Sequence, residues 1–470
     1  MKIKSCLYYL GLSCFPVSIM ALINIFYSFY FSYLDNLGSY ILVLAISLLI
    51  GLVFFKIGKK ERDNISIYEQ LLLIFLVYFL ISFFISLPFY YSNYEVSFLN
   101  SYFESISGLT GTGFTIFKYV KNLDDPLILW RSSSQWIGGF YFLIFLILIF
   151  SNKQINFKML DFSFNLEKKI NFSSNLINVT NRIFFIYSSL TVLIFLIFLI
   201  SGIRLFDSLN LTMTVISSGG FLPTDSLSNI IKNDFQSLLL CFGFLISIFN
   251  FYLFYNLVLG RENIKEHRED IYILILLIAF SALFYFTNDI NLSLVFINVL
   301  SSIATSGIST GGVPYNFTLY FIILVLLGGS VLSTTSGLKF LRIYILIKAF
   351  FMEMYKLAKP NVILNTKMMF SEKKINTENI KMSFLIFILF FLSLFILSSI
   401  LLVDFLDFEN SFKLSILTLT NTVASNVYGV EKIQFGDLFT FSKVSLIIFM
   451  VIAKVELLAL FILARKVFFR

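Results

Sequence analysis

The sequence predicts an all-α polytopic membrane protein. Four helix–pore-loop–helix repeats, related by pseudo-fourfold symmetry around one central pore, follow two extra N-terminal transmembrane helices. Three observations carry that prediction. Hydrophobic residues make up 58% of 470 positions and charged ones only 13%, too little polar surface for a soluble protein of this size. Apolar windows long enough to cross a hydrocarbon core recur along the chain. Between several of them lies a half-length apolar stretch that ends in a cluster of Gly, Ser and Thr, and this happens four times.

The spanning windows fall near 6–33, 38–55, 67–91, 127–150, 183–203, 235–259, 271–287, 317–350, 380–403 and 440–463. The first is too long for a signal peptide despite Lys2 and Lys4, and no small-residue cleavage site follows it, so it reads as a mature helix. Cys6, Cys14 and Cys241 lie in apolar runs without metal-site spacing and read as packed thiols. With ten crossings and the N-terminus inside, 27 of the 35 Lys and Arg fall on the inner side. The positive-inside rule then places both termini in the cytoplasm. The basic pI of 9.1 thus reports topology, and no nucleic-acid binding is read from it.

The chain divides accordingly into an N-terminal two-helix extension (1–60) and four units at 61–160, 161–265, 266–375 and 376–470. In the first unit the short stretch Ser97 to Gly108 precedes Leu109 to Thr115, with Thr110, Gly111, Thr112 and Gly113 at its heart. In the second, Phe206 to Ile216 precedes Ser217, Ser218, Gly219 and Gly220. In the third, Leu292 to Ala304 precedes Thr305, Ser306, Gly307 and the run to Gly312. In the fourth, Phe412 to Val423 precedes Ser425, Asn426, Val427, Tyr428 and Gly429.

Non-helical backbone at membrane depth survives only when buried in protein or lining a water-filled cavity. Glycines at Gly113, Gly220, Gly307 and Gly429 can adopt backbone conformations closed to other residues. Successive carbonyls can then face one axis and replace part of a cation's hydration shell. The half-helices would aim their negative C-terminal ends at the same place. One such cluster is an ordinary turn; four at matching places point to a cation filter.

These residues resemble the TrkH/KtrB potassium transporters, whose superfamily includes the plant HKT proteins. Ser107 to Thr115 is similar to the family's first filter, and Ser218 to Phe221 to its second. Trp130, Arg131, Gln135, Trp136, Ile137, Gly138 and Gly139 resemble the opening of the helix after the first filter. Gly328 to Arg342 resembles the interrupted helix of the third unit, and Lys359 to Val362 its cytoplasmic turn. The two extra N-terminal helices favour the TrkH branch. The chain departs from the pattern at Gly111, at Ile308, and at Val427 and Tyr428. The resemblance implies potassium uptake across the cell (inner) membrane, with K⁺ held by Thr110, Gly111, Thr112, Gly113, Ser217, Ser218, Gly219, Gly220, Ala304, Thr305, Ser306, Gly307, Ser425, Asn426, Val427, Tyr428 and Gly429. It further implies a homodimer and a TrkA-like cytoplasmic ring that carries the regulatory nucleotide, NAD or ATP/ADP; this chain itself would bind no cofactor.

A gate is legible from composition as well. The window 317–350 is too long for one crossing at about 1.5 Å rise per residue. At its centre Gly328, Gly329, Ser333, Thr334, Thr335, Ser336 and Gly337 invite an unwound loop inside the pore. A small-residue packing face is the alternative. Lys454, with Glu456 close by, is an ionisable residue within the last span, hence a functional candidate; the reading places it facing the pore beside the loop, the alternative being that it snorkels to the inner surface. Glu104 within the first short stretch, and Asp207, Asp289 and Glu409 at the openings of the second, third and fourth, would draw cations to the outer face or serve as helix-dipole caps. His267, in the charged run 261–270, reads as solvated.

Two other classes compete. A Na⁺- or H⁺-coupled symporter could share this fold, and a secondary carrier with internal repeats could be unrelated to it. The units here run parallel, each starting and ending inside, whereas carriers often use inverted repeats. With one His, no HExxH motif and no nucleotide-binding loop, the chain is not expected to be an enzyme.

Overall fold

The computed structural model describes residues 3–61, 65–150, 172–258, 268–288, 290–311, 313–359, 366–369, 374–404, 406–430 and 433–455. Asp289, Gly312, His267, Glu456 and the turn at 360–362 lie outside them. Among the described residues the structure is helical, apart from a single bridge between Lys367 and Lys374.

The chain opens with α1 (Ile3–Tyr30) and α2 (Leu37–Gly58), an antiparallel pair. Small residues set their spacing: a Cβ on Gly11 would stand 2.7 Å from the Gly51 carbonyl oxygen, and Ser18 and Ser47 share a hydroxyl contact of 2.7 Å. Where lipid replaces water, such close backbone approach and buried hydroxyl pairs replace the hydrophobic drive as the cause of association.

Four units follow. The first is α3 (Ile67–Tyr90), the short α4 (Phe98–Thr110) and α5 (Asp125–Phe150). The second is α6 (Phe172–Ile200), the short α7 (Leu205–Ile216), then α8 (Asp234–Ile248) and α9 (Phe251–Val258). The third is α10 (Arg268–Thr287), the short α11 (Leu292–Ile303), then α12 (Thr318–Leu327) and α13 (Phe340–Ala358). The fourth is α14 (Thr377–Leu401), the short α15 (Phe408–Leu419) and α16 (Thr440–Val455). Among the described residues six helices, α1, α2, α3, α6, α10 and α14, are long and apolar enough to cross a membrane. The chain is a multi-pass membrane protein.

Packing closes the units into a ring. Short helix α7 lies against α5 of the first unit, α11 against α8 of the second, and α15 against α12 of the third. The ring is completed by α4 against α16 of the fourth. The loops that end the four short helices are thereby turned toward one centre. Within the first unit, the packing of α4 on α5 depends on a glycine: a Cβ on Gly138 of α5 would stand 2.0 Å from the Leu109 carbonyl oxygen of α4. No other residue lets these backbones meet.

The two windows 235–259 and 317–350 are both interrupted. The second break, between α12 and α13, is the one glycine and serine content announces. The first, at Phe249 and Asn250, contains neither Gly nor Pro and corrects the reading of 235–259 as one continuous span. Tertiary partners hold it open. The Asn250 amide donates to Asp270 Oδ1 at 3.0 Å, the Phe251 amide to the Leu332 carbonyl at 2.8 Å, and the Ser330 amide to the Ile248 carbonyl at 3.0 Å.

Candidate functional site

Each short helix ends in the same way. A residue with positive φ follows: Gly111 (74°), Ser218 (54°), Thr305 (55°) and Asn421 (47°). Three of these are not glycine, and a left-handed backbone costs such residues of order 1–3 kcal/mol each, strain that clusters at functional sites. The next residue then donates its amide five positions back in three of the loops: Gly219 to Thr214, Ser306 to Ser301 and Thr422 to Leu417, at 2.9, 3.0 and 2.9 Å. The first and fourth loops also share a hydroxyl pair, Thr110 with Thr112 at 2.8 Å and Thr420 with Thr422 at 3.1 Å.

That register fixes which residues are equivalent. Thr110–Gly113, Ser217–Gly220 and Ala304–Gly307 stand in corresponding places, as the sequence suggests. The fourth loop is corrected. Its member of the ring is Thr420–Val423, while Ser425, Asn426, Val427, Tyr428 and Gly429 lie away from it. Tyr428 is buried with its hydroxyl 3.2 Å from Ser302 Oγ, and a Cβ on Gly429 would meet Thr318 and the Lys413 ammonium. By contrast a Cβ on Gly113 or Gly220 would lie 2.4 or 1.7 Å from Val423 Cγ2, and one on Gly307 would lie 2.9 Å from the Val423 oxygen. Asn421 ties the fourth loop to the first, its Nδ2 donating to Thr112 Oγ1 at 2.9 Å and to the Met450 carbonyl at 3.0 Å.

The loops are braced from behind. Glu104 does not face outward as a cation-attracting carboxylate; it is wholly buried and pairs with Arg131 of α5 at 2.9 Å. Glu104 also accepts from the Ile116 amide at 2.8 Å and the Thr115 hydroxyl at 3.0 Å, so it holds the strand of chain that leaves Gly113. The Arg131 guanidinium lies 4.1 Å from the centre of the Phe221 ring, the residue after Gly220. Gln135 supports the second loop, accepting from the Phe221 amide at 3.2 Å. Asp207 and Glu409 do sit in the first turns of α7 and α15, where the helix dipole favours them; Glu409 is exposed and paired with Lys413.

The segment Gly328–Lys339 is unwound, as its composition predicts, and lies directly against the loops. Thr334 Oγ1 is 2.9 Å from Ser218 Oγ, and the Ser336 amide donates to Thr305 Oγ1 at 2.9 Å. Ser333 and Thr335 share a hydroxyl contact of 2.7 Å, and Thr335 accepts from the Gly329 amide at 3.0 Å. A side chain the sequence did not single out organises this segment. Lys339, itself at positive φ, donates to the carbonyls of Ser330 and Thr335 at 3.2 and 2.5 Å. Lys454 does not snorkel. It is buried, donates to Ser336 Oγ at 3.1 Å, lies 4.3 Å from the centre of the Phe142 ring, and stands 3.7 Å from where a Cβ on Gly111 would be. Among the described residues no carboxylate pairs with it, so its charge is met only by dipoles and a ring face. Glu269 and Asp270, at the end of the charged run 261–270, are buried beside the helix breaks.

A strained loop ring, short helices aimed at it and an unwound segment beneath it make a distinctive arrangement. It matches the crystal structure of the potassium transporter TrkH from Vibrio parahaemolyticus with a TM-score of 0.87, at 22% identity over 100% of both chains. The chain has the TrkH fold. In sequence it is 26% identical over 400 residues to an uncharacterized cation transporter of Methanocaldococcus jannaschii, covering 80% of this chain and 82% of that protein. It is 25% identical over 344 residues to the Trk system potassium uptake protein TrkH of Salmonella typhimurium, covering 69% and 70%. No family model matches. The resemblance first seen in the motifs of this TrkH-like chain therefore extends over most of its length, and its relatives are transporters, not enzymes.

Proposed function

We propose that this TrkH-like chain is the pore subunit of a potassium uptake system in the cell (inner) membrane, with both termini in the cytoplasm. What supports this above all is the convergence of Gly113, Gly220, Gly307 and Val423 at one centre, with Gly328–Gly337 and Lys454 packed against it. Thr110–Gly113, Ser217–Gly220, Ala304–Gly307 and Thr420–Val423 form the filter. Their carbonyls replace water around the ion, and the C-terminal ends of four short helices favour its charge.

Below the filter the unwound segment is the gate. Its hydroxyl contacts to Ser218 and Thr305 keep it under the ion path, and the Lys454 ammonium repels a cation that reaches Gly111. Opening withdraws the segment. A homodimer with a nucleotide-binding cytoplasmic ring docked on the basic inner loops would supply the force; these partners are what the family resemblance implies. Rubidium and sodium flux into proteoliposomes tests the reading, wild type against Gly113→Ser and Gly307→Ser. Rubidium flux above that of empty vesicles, lost or made unselective in both variants, is expected; equal flux in all samples refutes it.

A further inference from the structure

The filter is not built of four glycines. In the register fixed by the positive-φ residues, the first three loops place Gly113, Gly220 and Gly307 at one level and the fourth places Val423 there. The ring order runs first, second, third, fourth, so the second and fourth loops face each other across the centre. Val423 reaches across that diagonal. Its Cγ2 would be 1.7 Å from a Cβ on Gly220 and 2.4 Å from one on Gly113, so the methyl touches the backbones of both the opposite and an adjacent loop. A side chain of the fourth loop that touches the loop opposite must cross the centre of the ring. Val423 and Gly220, which face each other, are both half-buried, whereas Gly113 and Gly307 are buried.

From this geometry we infer that Val423 is the narrowest point of the ion path and sets which cations pass, and how fast. This deepens the potassium-pore reading and rests on it. A dehydrated cation at this level meets a methyl group in its path as well as carbonyls, and an apolar constriction resists ions by excluding their water. Passage requires the valine to turn aside, and its two branches leave few χ1 positions for that. The gate below and this constriction act in series.

Two measurements separate the constriction from the pore reading: rubidium influx into proteoliposomes, and the rise in melting temperature of purified protein when potassium replaces choline. Val423→Gly and the milder Val423→Ala, which guards against misfolding of the glycine variant, are compared with wild type. About tenfold or greater influx in Val423→Gly, with Val423→Ala between, is expected, together with a larger potassium-dependent melting shift. Influx in both variants equal to wild type overturns the inference while leaving the pore intact. If no sample conducts but potassium stabilises Val423→Gly more than wild type, the constriction stands and the uptake reading falls. Absence of both effects overturns both.

Discussion

Glu104→Gln probes the brace behind the first loop. The carboxylate takes the Arg131 Nε at 2.9 Å, the Ile116 amide at 2.8 Å and the Thr115 hydroxyl at 3.0 Å, and both members of the ion pair are buried. Glutamine keeps the volume and one acceptor but strands the guanidinium without a counter-charge, and breaking a buried pair in this way costs about 3–5 kcal/mol. Removing the second charge as well, in Glu104→Gln with Arg131→Met, should restore a large part of the loss, because an apolar replacement of the whole pair is often near neutral. Unfolding in mixed micelles by detergent titration measures all three proteins. Because Thr115 and Ile116 leave Gly113 directly, the single variant should also lose preference for rubidium over sodium. A stability loss below about 1 kcal/mol, the size of a solvent-exposed pair, would refute the brace.

Lys454→Ala should raise rubidium flux without any regulatory subunit, since the ammonium beside Gly111 and Ser336 is removed; unchanged flux argues against a barrier there. Gly138→Ala should destabilise the protein by at least about 1–3 kcal/mol, because the new methyl would stand 2.0 Å from a backbone oxygen that cannot rotate away; detergent-titration unfolding reads this. Asp124, in the loop before α5, has its carboxyl raised above the usual value of 3.8 by burial, opposed in part by hydrogen bonds from Asn36 and Tyr94. An acid raised in the fold contributes stability when protonated and loses it as pH climbs from the unfolded value through the folded one. Melting temperature should therefore fall across that acidic window, and Asp124→Asn should flatten the slope.

Much of the fold is written in apolar length and loop composition: the short helices α4, α7, α11 and α15 were visible because a dozen apolar residues cannot cross a bilayer. The fourth loop was misplaced by following glycine. What the backbone repeats is a left-handed residue two positions before the ring, and Asn421 serves there as well as Gly111, so counting from the helix end would have reached Val423 while searching for glycine reached Gly429. The α8–α9 break left no trace because it has no local breaker; its cause is Asp270, distant in sequence. Glu104 looked like a surface acid because its arginine partner lies 27 residues on, in another helix, and such a pair has no signature along the chain.

The two interrupted helices are stitched to each other by peptide groups, Ser330 to Ile248 and Phe251 to Leu332. Out of reach of bulk water, neither link can be traded for a solvent bond while the segment shifts. Neighbouring quarters of the ring must then swing as one piece, like a door hung on two leaves of the same hinge. Any force that reaches either interruption is felt by both.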